Sequence, residues 1–262
     1  MKYKSRYSEL YLNNNKVGET YNKRINNKFE VFIFELEKYF LNKIIYPIQS
    51  PLKNYMDFAC GTGRIISYVY TNFKFKRYLG IDLSRIMIAQ AQKGVQKGIF
   101  FKVADISRDN NIPKQDVITC FRLFLNLEDY NRKIILKSLN KLLKKDGYLI
   151  INNHLNRFSF LGAIAFILHN FFGFPFKREP NPDNKKTILN TLKNSELKDL
   201  IESCGFEVKK IYSFCFFPGY KNYIFLPKKI LFVIEKAISK INFLSFFAKD
   251  AIFLCKKIMP NK

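Results

Sequence analysis

Hydrophobic positions along the chain fall into two rhythms. Short, near-continuous apolar bursts occupy residues 54–58, 78–82, 99–103, 116–120, 148–152, 206–213 and 250–255, the pattern of strands covered on both faces. Helical patterns lie between them. In "EDYNRKIILKSLNKLLKKDG", Ile134, Ile135, Leu139, Leu142 and Leu143 share one stripe, and Asp146-Gly147 signals a stop. "SELKDLIESCG" opens on Ser195, a capping residue type, and ends at Gly205, where a left-handed backbone costs least. A further helix is expected near 28–43.

Each parallel return of a strand needs a crossover, so strands alternating with helices predict an α/β, doubly wound, mostly parallel sheet of seven strands. Ligands then bind at the carboxyl ends of the strands. Residues 51–262 read as the core and 1–50 as an N-terminal helical extension or lid. The insertions at 153–193 and 214–247 read as helical lids over the same edge.

Three acids follow that order. Asp57 ends the first strand, Asp82 in "RYLGIDLS" the second, and Asp105 in "FFKVADIS" follows the third, at intervals of 25 and 23 residues. One strand–helix unit per interval puts all three on one rim. After Asp57 the chain bends through "ACGTG", where small residues at Ala59, Gly61 and Gly63 let the backbone turn sharply and approach a ligand. A dinucleotide loop would read G-x-G-x-x-G and place a pyrophosphate on the next helix. Here Ile66 stands where the third glycine belongs, and Asp57 would repel a phosphate. A cationic, phosphate-free adenosyl ligand suits the bend better.

"MDFACGTGR", "LGIDLS", "VADIS", "DVITCFRLFLN" and "LLKKDGYLIINN", in this order and spacing, resemble the successive motifs of class I S-adenosylmethionine-dependent methyltransferases. The resemblance covers roughly residues 50–155, and "ELKDLIESCGFEV" with "AKDAIFLCKK" is similar to that Rossmann-like fold's closing half. It implies S-adenosylmethionine as cofactor. Its methionine part would lie over the loop from Ala59 to Gly63, with Asp57 near the ammonium. Asp82 would accept from both ribose hydroxyls, and Asp105 would meet the adenine amino group. Leu83 and Ile106 would pack on the ring, and Phe121 would line the methionine side. Ala59 stands where the family commonly has glycine, a difference of one methyl group.

Candidates for the chemistry lie further along the rim. His154 in "INNHLN", just past the fifth strand, is placed to take a proton from an acceptor hydroxyl. It is equally placed to bond a loop carbonyl. Arg122 in "FRLFLN" would hold an acidic group of the acceptor, or pair with Asp105 or Glu128. His169 reads as packing. No His or acid cluster has metal-ligand spacing, so no metal is expected.

Composition narrows the partners. Lys and Arg number 45 against 21 acids, a formal charge of +24, which attracts nucleic acid or anionic membrane. AT-rich codons would produce the same excess of Lys, Asn, Ile, Phe and Tyr. The Pro-Pro-aromatic signature of amino-methylating DNA enzymes is missing after the fourth strand, which argues against DNA. RNA stays open on charge alone. The apolar stretch 158–176 has the length of a bilayer span, but strands of one sheet flank it, so a span is rejected. Five cysteines without C-x-x-C spacing and no apolar leader point to a reducing, cytoplasmic compartment.

Together these readings predict a methyltransferase acting on a small-molecule or lipid-like acceptor, with O-methylation favoured. The apolar, Lys-rich insertions would cap the cofactor and form an apolar acceptor pocket, with peripheral contact with an anionic membrane as the second use and a helix pair completing the core as the alternative to both. The alternatives are a non-catalytic S-adenosylmethionine-binding partner protein and an RNA methyltransferase.

Overall fold

The structure, a computed structural model, describes residues 25–51, 53–94, 97–109, 111–159, 191–217 and 226–258, and also 21, 167, 219, 220, 223 and 224. Apart from Phe158, Ser159 and Ile167, the apolar stretch 158–176 with its His169 lies outside the described residues, as do residues 1–20.

Seven strands form one sheet: β1 (Asn54–Phe58), β2 (Arg77–Asp82), β3 (Ile99–Val103), β4 (Gln115–Cys120), β5 (Leu143–His154), β6 (Phe206–Phe214) and β9 (Asp250–Lys257). A ribbon of β7 (Gly219–Tyr220) and β8 (Tyr223–Ile224) stands apart. The sheet order is β3-β2-β1-β4-β5-β9-β6. Strands β1 to β5 pair in parallel, and β9 runs antiparallel between β5 and β6. The chain reverses on leaving β1, working outward first to β3 and then from β4 toward the other edge. A crevice therefore opens at the carboxyl ends of β1 and β4.

The apolar bursts of the inner strands are covered on both faces, while the edge strand β3 leaves Phe100 70% exposed. Tyr55 and Met56, neighbours in β1, are both fully buried but belong to different clusters. On one face lie α4 (Asp129–Leu142) and α5 (Asn194–Glu202). On the other lie α1 (Lys28–Ile45), α2 (Arg64–Asn72) and α6 (Lys228–Ile238), with Phe32, Leu36, Ile66 and Leu231 packed on Tyr55 and Val117. Each such aliphatic or aromatic side chain contributes about 1.5–3 kcal/mol by leaving water. Helix α3 (Arg85–Gly94) connects β2 to β3.

Two expected boundaries shift. The Asp146-Gly147 stop is a bulge inside β5, because pairing with β4 resumes on both sides of it, at Leu143↔Gln115 and Tyr148↔Val117, around Asp146 at φ 62°. Helix α4 therefore ends at Leu142, and Leu143 is buried as a strand residue. Helix α5 starts before Ser195, since the Glu196 carboxylate accepts the Lys193 N–H at 2.9 Å and caps the first turn instead. Among the described residues no helix is long and apolar enough to cross a membrane.

Candidate active site

The bend after β1 is built from left-handed residues. Ala59 (φ 56°), Gly61 (φ 55°) and Gly63 (φ 81°) alternate with ordinary ones, and Cys60 N–H donates to Ile81 O at 3.0 Å, tying the loop to β2. An L-residue in that region costs about 1–2 kcal/mol. Ala59 is thus a strained position, and the methyl group that distinguishes it from glycine matters more than its size suggests. A Cβ on Gly61 would meet nothing within 4 Å, so the loop's outer side faces open space.

Beneath this loop lies Asp57, 2% exposed. Thr119 donates its hydroxyl to Asp57 Oδ1 at 2.7 Å and accepts from the Tyr55 hydroxyl at 2.6 Å. Oδ2 is buried with no hydrogen-bond partner. Burial, with a smaller contribution from the charge of Asp82, pushes the Asp57 carboxyl up to about 7. Asp82 at the tip of β2 accepts from Gly61 N–H (2.9 Å) and Ser84 N–H (2.9 Å), one bond on each oxygen, and burial raises its pKa too. Two carboxyls thus flank the loop in a low-dielectric setting that favours a cation.

Sheet register aligns the remaining tips. Phe58 pairs with both Ile81 and Cys120, and Asp82 pairs with Val103. Asp105 lies just past β3, its Oδ1 accepting from Ser107 N–H (3.0 Å) and Oγ (2.7 Å) and its Oδ2 facing Arg108 at 3.6 Å. Leu83 is 37% exposed, while Ile106 is buried in the core cluster on the α4 face. Phe121 is buried in the cluster under α1.

Arg122 does not take the partners weighed from sequence. It stands at φ 58°, its N–H donating to Asn152 Oδ1 at 2.6 Å. Its guanidinium pairs with Glu30 and, at 3.2 Å, with Glu37, both on α1. Arg64, opening α2, donates to the same Glu37 at 3.0 Å. Burial works against the Arg122 charge, but Glu37 and Glu30 outweigh it and hold it protonated. Burial works against the Glu30 charge as well, yet Arg122 brings its pKa down to about 2. With both carboxylates on the guanidinium, Arg122 anchors α1 across the crevice.

His154 closes β5 and faces Asp250, the first residue of antiparallel β9. Its Nδ1 lies 2.5 Å from Asp250 Oδ1, and Lys249 Nζ lies 3.1 Å from Oδ2. The imidazole is 10% exposed, and burial lowers its pKa despite the facing carboxylate. Burial would raise the Asp250 pKa, but His154 and Lys249 hold it well below the carboxylate range. The pairing favours a neutral imidazole with Nδ1–H on the carboxylate and the Nε2 lone pair left as acceptor.

Sequence reasoning missed Glu30, Glu37, Asn152, Lys249 and Asp250. Glu30 and Glu37 were legible as acids seven residues apart on the apolar stripe of a helix. Asp250 left no local trace, because only the antiparallel insertion of β9 brings it to His154.

The family model described as "Methyltransferase domain" matches residues 56–149, which hold the loop, the three acids and Arg122. A putative methyltransferase of Invertebrate iridescent virus 6 is 35% identical over 69 residues, spanning 26% of this chain and 26% of that protein. Magnesium protoporphyrin IX methyltransferase from Synechocystis PCC 6803, solved with bound SAH, superposes with TM-score 0.57 at 13% identity, covering 92% of this chain and 96% of that one. A SAM-dependent methyltransferase from Archaeoglobus fulgidus superposes with TM-score 0.54 at 20% identity, covering 85% and 94%. The fold is that of class I methyltransferases, and residues 56–149 resemble a methyltransferase domain. The residues present fit that class's cofactor, S-adenosylmethionine: the unpartnered Asp57 Oδ2 and the open side of Gly61 suit an ammonium-bearing ligand.

Proposed function

We propose that the protein is an S-adenosylmethionine-dependent methyltransferase whose acceptor is a small or lipid-like molecule methylated on oxygen. When bound, S-adenosylmethionine supplies an electrophilic methyl group on a sulfonium. Asp57 offers its free Oδ2 to the ammonium. Asp82, held in place by the Gly61 and Ser84 N–H groups, accepts from the ribose hydroxyls. Asp105 accepts from the adenine amino group, between Leu83 and Ile106. Phe121 packs behind the methionine side, and the Ala59–Gly63 loop brings backbone close to it.

The observation that carries O-methylation is the His154–Asp250 pair. An acceptor hydroxyl loses a proton as its oxygen attacks, and Nε2 is the group to receive it. Asp250 fixes the tautomer and stabilises the imidazolium that results, while Lys249 holds Asp250 ionised. Because burial lowers the His154 pKa, the base is free at neutral pH.

Incubation with methyl-labelled S-adenosylmethionine and fractionated cell extract tests this reading. Label is expected in an organic-soluble or small-molecule fraction, with the acid limb of the pH–rate profile below the ordinary histidine value of about 6.5. His154→Ala is expected to lower kcat by about 10²–10⁴-fold while leaving affinity for S-adenosylhomocysteine unchanged. Cofactor binding without labelled product in any fraction contradicts catalysis, and label confined to RNA contradicts the acceptor class.

A further inference from the structure

Helix α6 packs Leu231 and Phe232 on the core and carries a second apolar stripe toward water. Ile230 (52% exposed), Val233 (63%) and, just past its end, Ile241 (49%) share one outward stripe. The helix's single acid points inward. Glu235 is fully buried and accepts the N–H groups of Cys215 (2.8 Å), Phe216 (2.9 Å) and Phe217 (3.1 Å). The next segment, Asn242–Phe247, continues the apolar face with Phe243 (79% exposed), Phe246 (49%) and Phe247 (49%). A folded surface gains nothing from contiguous side chains of this kind in water, and such patches mark interaction sites.

Charge selects the occupant. Lys228, Lys229 and Lys240 are exposed around the stripe, and no acid other than buried Glu235 occurs between residues 226 and 249. An apolar face rimmed by lysines alone, on a chain of formal charge +24, complements an anionic bilayer, where Phe and Ile enter the headgroup boundary and Lys stays with the phosphates. Position points the same way. Asn156, two residues past His154, donates from Nδ2 to Phe246 O at 2.8 Å and to Ala248 O at 3.0 Å, so the face adjoins the dyad's end of the sheet.

We propose that α6 and residues 242–247 form a docking surface that seats the protein on anionic lipid, with the acceptor side of the sheet toward the bilayer. The purpose, access to a lipid-borne acceptor, rests on the methyltransferase reading; the docking does not.

Cosedimentation of the full chain with vesicles tests it. The protein is expected to pellet with vesicles of equal parts phosphatidylcholine and phosphatidylglycerol, and about tenfold less with phosphatidylcholine alone or in molar salt. The double variant Val233→Asp, Phe243→Asp changes two exposed side chains, the second touching the equally surface-lying Phe247 ring, and is expected to bind the anionic vesicles about tenfold or more weakly, with unchanged circular dichroism and S-adenosylhomocysteine affinity. Protein that stays in the supernatant, pellets equally with neutral vesicles, or pellets equally as the double variant overturns the proposal. So does a dimer in sedimentation velocity that the same variant abolishes without any vesicle binding. Cofactor binding without vesicle binding removes the docking surface alone. Vesicle binding without cofactor binding removes the methyltransferase reading alone.

Discussion

Asp57 shows how one side chain trades stability for a binding site. Its carboxyl is raised from an ordinary 3.8 to about 7, so between those values the folded chain holds a proton that the unfolded chain releases. Its favourable contribution is therefore complete below about pH 4 and is lost as the pH rises through 7. Three units at about 1.4 kcal/mol each put the loss near 4 kcal/mol at most. Asp57→Asn, which keeps the acceptor for Thr119 and carries no charge, is expected to melt higher than the parent at pH 8. The two should converge only below about pH 4, and the variant should bind S-adenosylhomocysteine more weakly. Parallel melting curves across that range would contradict the account. The spacing of Asp57, Asp82 and Asp105 was legible because each ends or follows a strand in a repeating strand–helix unit. The strain at Ala59 was not, since a backbone angle leaves no mark on residue identity. Neither was the Asp250 partner of His154, which comes from a strand 96 residues away.

At the scale of elements, α1 is held by charge as well as by its apolar stripe. Asn27 Oδ1 caps it, accepting from Phe29 and Glu30 N–H groups at 3.1 and 3.0 Å. Seven residues on, Glu37 is fully buried between Arg64 and Arg122, which lie on opposite sides of the crevice. Removing one partner of a buried ion group leaves the others uncompensated and costs about 3–5 kcal/mol. Glu37→Ala is therefore expected to lower the melting temperature markedly and to expose α1 to proteolysis. Arg64→Ala combined with Glu37→Ala should recover part of the loss, since fewer charges are then stranded. Additive losses would contradict a shared network. Strands β1, β2 and β4 were legible from apolar runs because burial forces such runs, whereas edge strand β3 has the same apolar run with Phe100 70% exposed. The start of β5 was hidden because Asp146-Gly147 has the composition of a turn whether the chain leaves the sheet or bulges within it.

For the whole molecule, the doubly wound order was readable from alternation alone, since handedness and crossover length leave few other ways to return a parallel strand. The net charge was readable but not its meaning. Only the folded surface separates lysines that rim an apolar face from those scattered elsewhere, and only the fold turns Glu235 inward and Val233 outward. The same fold places a buried carboxyl, Asp57, and a half-buried one, Asp82, around a left-handed loop, an arrangement that raises both pKa values and that a bound cation would offset. Calorimetric titration of S-adenosylhomocysteine into the folded protein tests that claim most directly. A saturable one-to-one heat, weakened about tenfold or more by Asp82→Ala through loss of a charged acceptor for two hydroxyls, is the expected result. Folded protein that gives no saturable heat, or an Asp82→Ala variant that binds as the parent does, would contradict it.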